Sequence, residues 1–331
     1  MTVHLPTLKQ LQYLVALRQH GHFGRAADSC FVTQSTLSAG LRDLESLLGV
    51  TLVERTRRLV RFTALGEKVA DKAVRVLRET EGLADLARTE GKPLHGELRL
   101  GVIPTIAPFL LPAMLPALRT EWPNLKLYLR EETSQAACEA LHRGLLDCVL
   151  LATPFPCGDV DRAILFEDRL FVAFPGGEAP VGQSVEAGAI DESRLLLLED
   201  GHCLKDHALA ACNRPELRSE AAMLGTSLHT LVQMVDNGLG ITFVPAMAIE
   251  AGILDGTAIE ARALRTDLGF RKVALIWRRS SPREHEFQLL AATLRAIAWS
   301  VIPGLEIVDE IYATAPREGG EKRGAVAEAA V

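Results

Sequence analysis

The stretch Thr33 to Phe62, TQSTLSAGLRDLESLLGVTLVERTRRLVRF, decides the reading of the front of the chain. Thr33 is a good N-cap, because its hydroxyl can take an orphan amide of the turn that follows. Leu37, Leu41, Leu44, Leu47 and Leu48 then recur at the spacing of one helix face, and Gly49 closes the helix. Val50–Val53 and Leu59–Phe62 are short β-like runs around a charged tip, Glu54-Arg55-Thr56-Arg57-Arg58. Upstream, Leu8, Leu11, Leu14, Val15 and Leu17 mark a helix over about 7–20. Phe23–Cys30 fits a second one, after Gly21-His22.

Two short helices before a helix that opens Thr33-Gln34-Ser35-Thr36-Leu37-Ser38 have helix-turn-helix form. The major groove of DNA admits such a helix, and its first turn meets base edges. Gln34, Ser35 and Ser38 put polar groups on that turn, and a Gln at Gln34 suits bidentate pairing with adenine. Arg42, two turns on, is placed for a phosphate or a base. Arg55, Arg57 and Arg58 would form a wing over the flanking backbone. The alternative is an ordinary three-helix module with a polar face.

Charge agrees with a DNA-reading front. The chain of 331 residues carries a net charge of −6, yet residues 1–62 carry +4 and the remainder −10. A basic front on an acidic body fits a polyanion partner for the front alone. The length allows two or three domains, and 48% hydrophobic residues exclude a disordered chain. No run of about 20 uncharged apolar residues is present, so no membrane span is expected. The N-terminus lacks an apolar signal core, which points to a cytoplasmic protein. There thiols stay reduced, and the six cysteines are not expected to form a structural disulfide framework.

After the wing, Thr63 can cap a long helix over Ala64–Arg88, about 37 Å at 1.5 Å per residue. A helix of that length outside a compact core is a linker, a dimerising helix or both. Beyond Gly96 short apolar strands alternate with helical patterns: Leu98–Ile103, Leu125–Leu129, Cys148–Ala152, Arg169–Phe174, Leu195–Leu198, Ile241–Val244 and Val273–Trp277. That texture predicts an α/β architecture with mostly parallel sheets in two lobes. Past Pro303 periodicity is lost, and a mobile tail over 304–331 is expected.

A second constellation follows the strand at Leu195–Leu198: GHCLKDHALAAC, residues 201–212. Cationic neighbours and a helix N-terminus lower a thiol pKa, and His202, Lys205 and His207 flank Cys203, with Asp206 nearby. A thiolate so placed suits attack on a peroxide, giving a sulfenic acid that condenses with a second thiol. If 203–212 is helical, its ends lie about 13 Å apart, whereas a disulfide tolerates about 4.4–6.8 Å between Cα atoms. Closure would then require refolding. The competing reading is two unrelated structural cysteines.

LRDLESLLGVTLVERTRR followed by FTALGEKV resembles the winged helix-turn-helix of LysR-type transcriptional regulators, through residues 7–90. GHCLKDHALAAC, GVIPTIAPFLLP at 101–112, GTSLHTLVQMVDNGLGITFVP at 225–245 and WRRSSPREHEFQLL at 277–290 are similar to the hydrogen-peroxide-sensing members of that family. The resemblance implies a winged helix-turn-helix over 1–62, a linker helix over 63–92 and a two-lobed, periplasmic-binding-protein-like effector domain over 93–303. Lobe I would take about 93–166 and 272–303, and lobe II about 167–271. It implies Cys203 as the peroxidatic and Cys212 as the resolving cysteine, with Thr105, Thr133, His202, Asp206 and Arg278 around the peroxide. The implied DNA-contacting set is Thr33, Gln34, Ser35, Thr36, Ser38, Arg42, Arg55, Arg57 and Arg58.

Implied partners are double-stranded promoter DNA, further copies of the chain as dimer and tetramer, RNA polymerase, and a glutaredoxin- or thioredoxin-like reductant. No cofactor, metal or enzymatic turnover is implied. Gating by a small organic ligand, with incidental cysteines, is the other reading the family allows. His207 and the Ala210-Ala211 pair depart from the family pattern inside the switching segment. Cys30 is expected in the core of the reader, and Cys138, Cys148 and Cys157 are expected to be buried or incidental.

Overall fold

The computed structural model describes residues 5–55, 60–89, 93–212 and 223–302. The reader comprises α1 (Leu8–His20), α2 (Phe23–Ser29), α3 (Gln34–Leu48), β1 (Val53–Arg55) and β2 (Val60–Phe62). Local chemistry fixes its ends. Thr7 and Gln10 close a reciprocal capping box on α1. The Thr33 hydroxyl accepts from the Thr36 amide at the start of α3, and Gly49 ends it at φ 67°, where a side chain would be strained. Leu14, Leu17, Leu37, Leu44 and Leu52 are fully buried in one core. The wing is anchored by Glu45, whose Oε1 accepts the amides of Leu52 and Val53 at 2.9 and 3.0 Å.

The linker α4 (Ala64–Thr89) begins where Thr63 Oγ1 accepts from the Gly66 amide. A Cβ on Gly66 would lie 2.0 Å from the Leu52 carbonyl oxygen, so only glycine lets the helix start against the wing. Ala70 and Ala73 of α4 complete the core of the reader. At about 1.5 Å per residue its 26 residues span about 39 Å.

The effector region follows as β3 (Gly96–Val102), α5 (Ala107–Glu121), β4 (Leu125–Glu131), α6 (Ser134–His142), β5 (Cys148–Thr153) and β6 (Val160–Phe174). Next come β7 (Ser184–Glu186), β8 (Leu196–Leu198), α7 (Cys203–Ala211), β9 (Met223–Gly225), α8 (Leu228–Asp236) and β10 (Thr242–Pro245). The last elements are α9 (Ala246–Glu250), β11 (Glu260–Arg265), β12 (Phe270–Arg278) and α10 (Glu284–Val301).

The main sheet runs β4-β3-β5-β12-β6-β11-β7, with β10 also paired to β6. The expectation of mostly parallel strands is corrected: β12 lies antiparallel to β5 and β6, and β10 and β11 lie antiparallel to β6. The reason is topological. β6 pairs with β12 from Val160 to Arg169 and then with β10 and β11 from Leu170 to Phe174, so it serves both halves of the region. Strands β7, β9 and β11 and the first part of β6 were not expected. Beside them, β8 and β9 form a parallel pair that places α7 after β8. Among the described residues no helix is long and apolar enough to cross a membrane. The expected tail, 304–331, lies outside the described residues.

Candidate functional site

Cys203 is the first residue of α7 and is 1% exposed. Residues 203–211 are helical with Cys212 as the C-cap, so the two sulfur-bearing residues stand about 13 Å apart along the axis. They are not joined by a disulfide. Bonding them requires α7 to unwind.

The first turn of α7 is held by α6. The Cys203 amide donates to Ser134 Oγ at 3.2 Å, and the Gln135 amide donates to the Gly201 carbonyl at 3.1 Å. Ser134 also hydrogen-bonds the Cys203 sulfur, and so does the backbone of Ala152. Burial pushes the Cys203 thiol above its ordinary 9.0; the charge of Arg271 and these hydrogen bonds oppose that rise without cancelling it.

The expected source of thiolate stabilisation is therefore corrected. Burial holds His202 below its ordinary value and drives His207 down to about 4, so both rings are neutral near pH 7. Lys205 forms its ion pair with Asp200. The cation that acts on Cys203 is Arg271, which sequence reasoning missed. Its side chain is fully buried. Nε and Nη2 donate to Asp168 Oδ2 at 3.0 and 2.8 Å, Nη1 to Thr105 Oγ1 at 2.8 Å, and Nη2 to the Thr105 carbonyl at 3.0 Å. Asp168 sits opposite Arg271 in the β6–β12 ladder, and its Oδ1 accepts the Met247 amide.

Arg278, placed at the site by resemblance, lies elsewhere. It is one strand end away on β12 and donates to the carbonyls of Leu141 and Leu146 at 2.6 and 2.7 Å. Seven residues along an extended strand carry it roughly 23 Å from Arg271. The fold does bring Thr105 to the site, with its hydroxyl tied to Arg271. Thr133 caps α6, accepting from the Ala136 amide, and borders the Gly201 turn. Asp206 is exposed and lines a cavity of about 690 Å³ together with Gly201. Partial desolvation of its carboxyl where it meets the cavity wall raises its pKa against the lowering effect of Lys205.

One cysteine expectation, that no structural disulfide forms, is corrected. Cys138 of α6 and Cys157, beyond β5, form a disulfide of 2.05 Å with Cα atoms 5.4 Å apart. Both are buried, as expected, and the turn after β5 folds back along α6 to bring them together. Cys148 is buried in β5, and Cys30 is half-buried against the core of the reader.

At the other end of α6, Arg143 reaches Asp71 of α4 at 3.0 Å, and the same carboxylate oxygen accepts from Arg18 of α1 at 2.6 Å. Burial works to raise the Asp71 carboxyl pKa, but hydrogen bonds from Arg18 and Arg143 hold it below its ordinary value. Linker, reader and effector thus share one carboxylate.

On the reader, Gln34, Ser35, Thr36 and Arg42 are exposed and Ser38 is half-buried. The hydroxyls of Thr33, Ser35 and Thr36 are engaged in the helix cap, 2.8–2.9 Å apart. Cap geometry therefore leaves Gln34 and Arg42 as the side chains best placed to read. The expected wing residues Arg57 and Arg58, and the side chain of Arg55, lie outside the described residues. Phe31, at φ 55° in the turn before α3, is 96% exposed beside this surface.

Comparison with known proteins agrees with this architecture. Residues 8–67 match the family of bacterial regulatory helix-turn-helix proteins of lysR type, and residues 91–299 match the LysR substrate binding domain. The regulator EstR of Acinetobacter baylyi is 41% identical over 88% of this chain and 97% of its own. The DNA-binding transcriptional dual regulator OxyR of Escherichia coli is 38% identical over 87% of this chain and 95% of its own. Among solved structures, a full-length OxyR variant from Pseudomonas aeruginosa superposes with a TM-score of 0.73 at 35% identity, covering 88% of this chain and 95% of that one. The hydrogen-peroxide-bound OxyR variant of Corynebacterium glutamicum gives 0.61 at 31% identity, covering 91% and 95%. With both halves matched and relatives aligned over nearly their full length, the chain belongs to the LysR family of DNA-binding transcriptional regulators.

Proposed function

We propose that the chain is a peroxide-responsive regulator of promoter DNA, switched by a Cys203–Cys212 disulfide. The observation that carries this reading is Cys203 itself: a thiol at a helix N-terminus, with a buried guanidinium acting on it and a serine hydroxyl on its sulfur. The thiolate attacks one oxygen of hydrogen peroxide, the O–O bond breaks, and hydroxide leaves. Arg271 stabilises both the thiolate and the departing charge. The resulting sulfenic acid loses its hydroxyl as water when the Cys212 thiol attacks, after α7 unwinds.

The refolded segment would pull on α6 and, through Arg143 and Asp71, on the linker and reader. Exposed Leu65, Val76 and Leu83 on α4 favour a dimer along the linker, and a tetramer is the assembly expected on DNA. RNA polymerase and a glutaredoxin- or thioredoxin-like reductant are the further partners, and the cytoplasm is the compartment in which such a thiol stays poised.

The test joins mass spectrometry of the 203 and 212 peptides, before and after sub-stoichiometric peroxide, to a DNA footprint in both states. A cross-link and a changed footprint in the wild type, both absent in Cys203→Ser, are expected. Identical footprints and unlinked cysteines overturn the reading. Gating by a small organic ligand has one observation in its favour, the 41% identity with a regulator bearing another name, EstR. A ligand that raises Tm while Cys203→Ser regulates normally would select it.

A further inference from the structure

The Cys138–Cys157 disulfide occupies a particular place. Cys138 lies one turn along α6 from Ser134, the residue that holds the Cys203 amide and sulfur. Cys157 ends the segment that follows β5, and the Pro154 carbonyl in that segment accepts from His207 Nε2 of α7 at 2.9 Å. The helix α7 is thus gripped from two sides, by α6 at Cys203 and by the 154–157 segment at His207. The disulfide ties the two grips to each other. His142 adds a parallel contact to the Cys157 carbonyl. Both cysteines are only 6% exposed, and the face they show lines the cavity of about 690 Å³ that also holds Gly201 and Asp206, the side from which a small thiol would reach the bond.

We propose that Cys138–Cys157 is a second redox site of this chain, exchanged by a low-molecular-weight thiol of the glutathione class, and that its oxidised form fastens α7 in place. The thiolate of the small molecule attacks one sulfur, giving a mixed disulfide and releasing the other cysteine as thiolate. A second small thiol then displaces the first as its own disulfide. Two electrons pass to the protein, which gains two thiols, and the small molecule is oxidised; an excess of the oxidised small molecule reverses the sequence. Reduction uncouples α6 from the 154–157 segment, leaving α7 held by separate hydrogen bonds that open independently. The ambient thiol pool would then set how readily α7 unwinds, and hence the threshold of the Cys203 switch. This last consequence rests on the peroxide reading above, whereas the redox site itself does not.

The experiment uses the full-length Cys203→Ser protein, in which a Cys203–Cys212 bond cannot form. It is equilibrated in glutathione buffers from fully oxidised to fully reduced. Differential alkylation and mass spectrometry score the 138 and 157 peptides, and circular dichroism reports the fold. A disulfide-to-dithiol transition with an unchanged fold is expected. Amide hydrogen exchange over 203–212 should be about three- to tenfold faster in the dithiol form, the loss equivalent to one hydrogen bond. A bond that survives full reduction until the protein unfolds overturns the proposal, as does identical exchange in the two forms. A transition with faster exchange, in a chain whose wild type never links Cys203 to Cys212, upholds the second redox site and refutes the peroxide switch.

Discussion

Replacing Arg271 with methionine separates the chemistry of the site from its architecture. The side chain is fully buried, opposite a fully buried Asp168, and makes two contacts to that carboxylate and two to Thr105. Methionine keeps most of the volume and removes the charge. Asp168 then retains the Met247 amide as its remaining donor among those described. Breaking one half of a buried ion pair costs about 3–5 kcal/mol. In a unit of this size, at about 2–4 °C per kcal/mol, Tm falls by roughly 6–20 °C. The second effect is chemical. Removing an electrostatic stabiliser aimed at developing negative charge costs about a hundredfold in rate, so sulfenic acid formation at Cys203 should slow by that order. Arg271→Lys keeps a charge without the fork; it should recover part of the rate while remaining less stable than the wild type. The assay is stopped-flow peroxide addition with dimedone trapping, read by mass spectrometry on the 203 peptide, beside thermal denaturation of each variant. A folded Arg271→Met protein that oxidises Cys203 at the wild-type rate would show that Arg271 is architecture alone.

Ser134→Ala removes the acceptor of the Cys203 amide and a hydrogen bond to its sulfur; about 1 kcal/mol of stability should go with it. The pH profile of Cys203 alkylation should move in the alkaline direction, which iodoacetamide rates across pH 6–10 would measure. His207 carries an acid-side prediction. Unfolded, it takes a proton below its ordinary 6.5, whereas folded it resists until about 4. Its contribution is complete above 6.5 and is lost as pH falls through that window, by about 3 kcal/mol. Urea titrations at pH 7 and pH 4.5 should show that loss, and His207→Gln should remove most of it. On the reader, Gln34→Ala should cost about 1–3 kcal/mol at preferred sites and relax specificity. Arg42→Ala should weaken binding to all sequences and flatten the salt dependence if it meets a phosphate, as fluorescence anisotropy over a salt series would report.

The reader was legible because its signals are local. Thr33, Gly49 and the leucines of α3 act within a few residues of themselves, so spacing and capping rules reach them. The effector sheet was harder. β11 reads EARALR, with charges that break the apolar pattern of a strand paired on both sides, and β7 and β9 have three residues each. At the site, sequence neighbours were mistaken for spatial ones. His202, Lys205 and His207 flank Cys203 in the chain, yet burial neutralises the two rings and Asp200 takes the lysine. The acting cation comes from β12, 68 positions on, and nothing in one sequence separates Arg271 from Arg278; only the fold buries the first fully and the second by half. Ser134, next to the expected Thr133, meets Cys203 only through the fold, 69 positions away in the chain. The Cys138–Cys157 bond spans 19 positions and depends on the fold-back of the turn after β5, which no local pattern encodes.

The passage between the two halves of the effector region has a mechanical consequence. It is made by β6 and β12, which are laddered to each other from Val160–Arg278 to Arg169–Phe270, with one irregularity between Val273 and Ala274. Domains that swallow a ligand by clamshell closure swing on a few loop residues that absorb the rotation. Here a wide swing would have to tear rungs from a continuous ribbon, and the Arg271–Asp168 pair is one of those rungs. The cheaper motion is a latch: one short helix let go at the seam, while the jaws on either side hardly move.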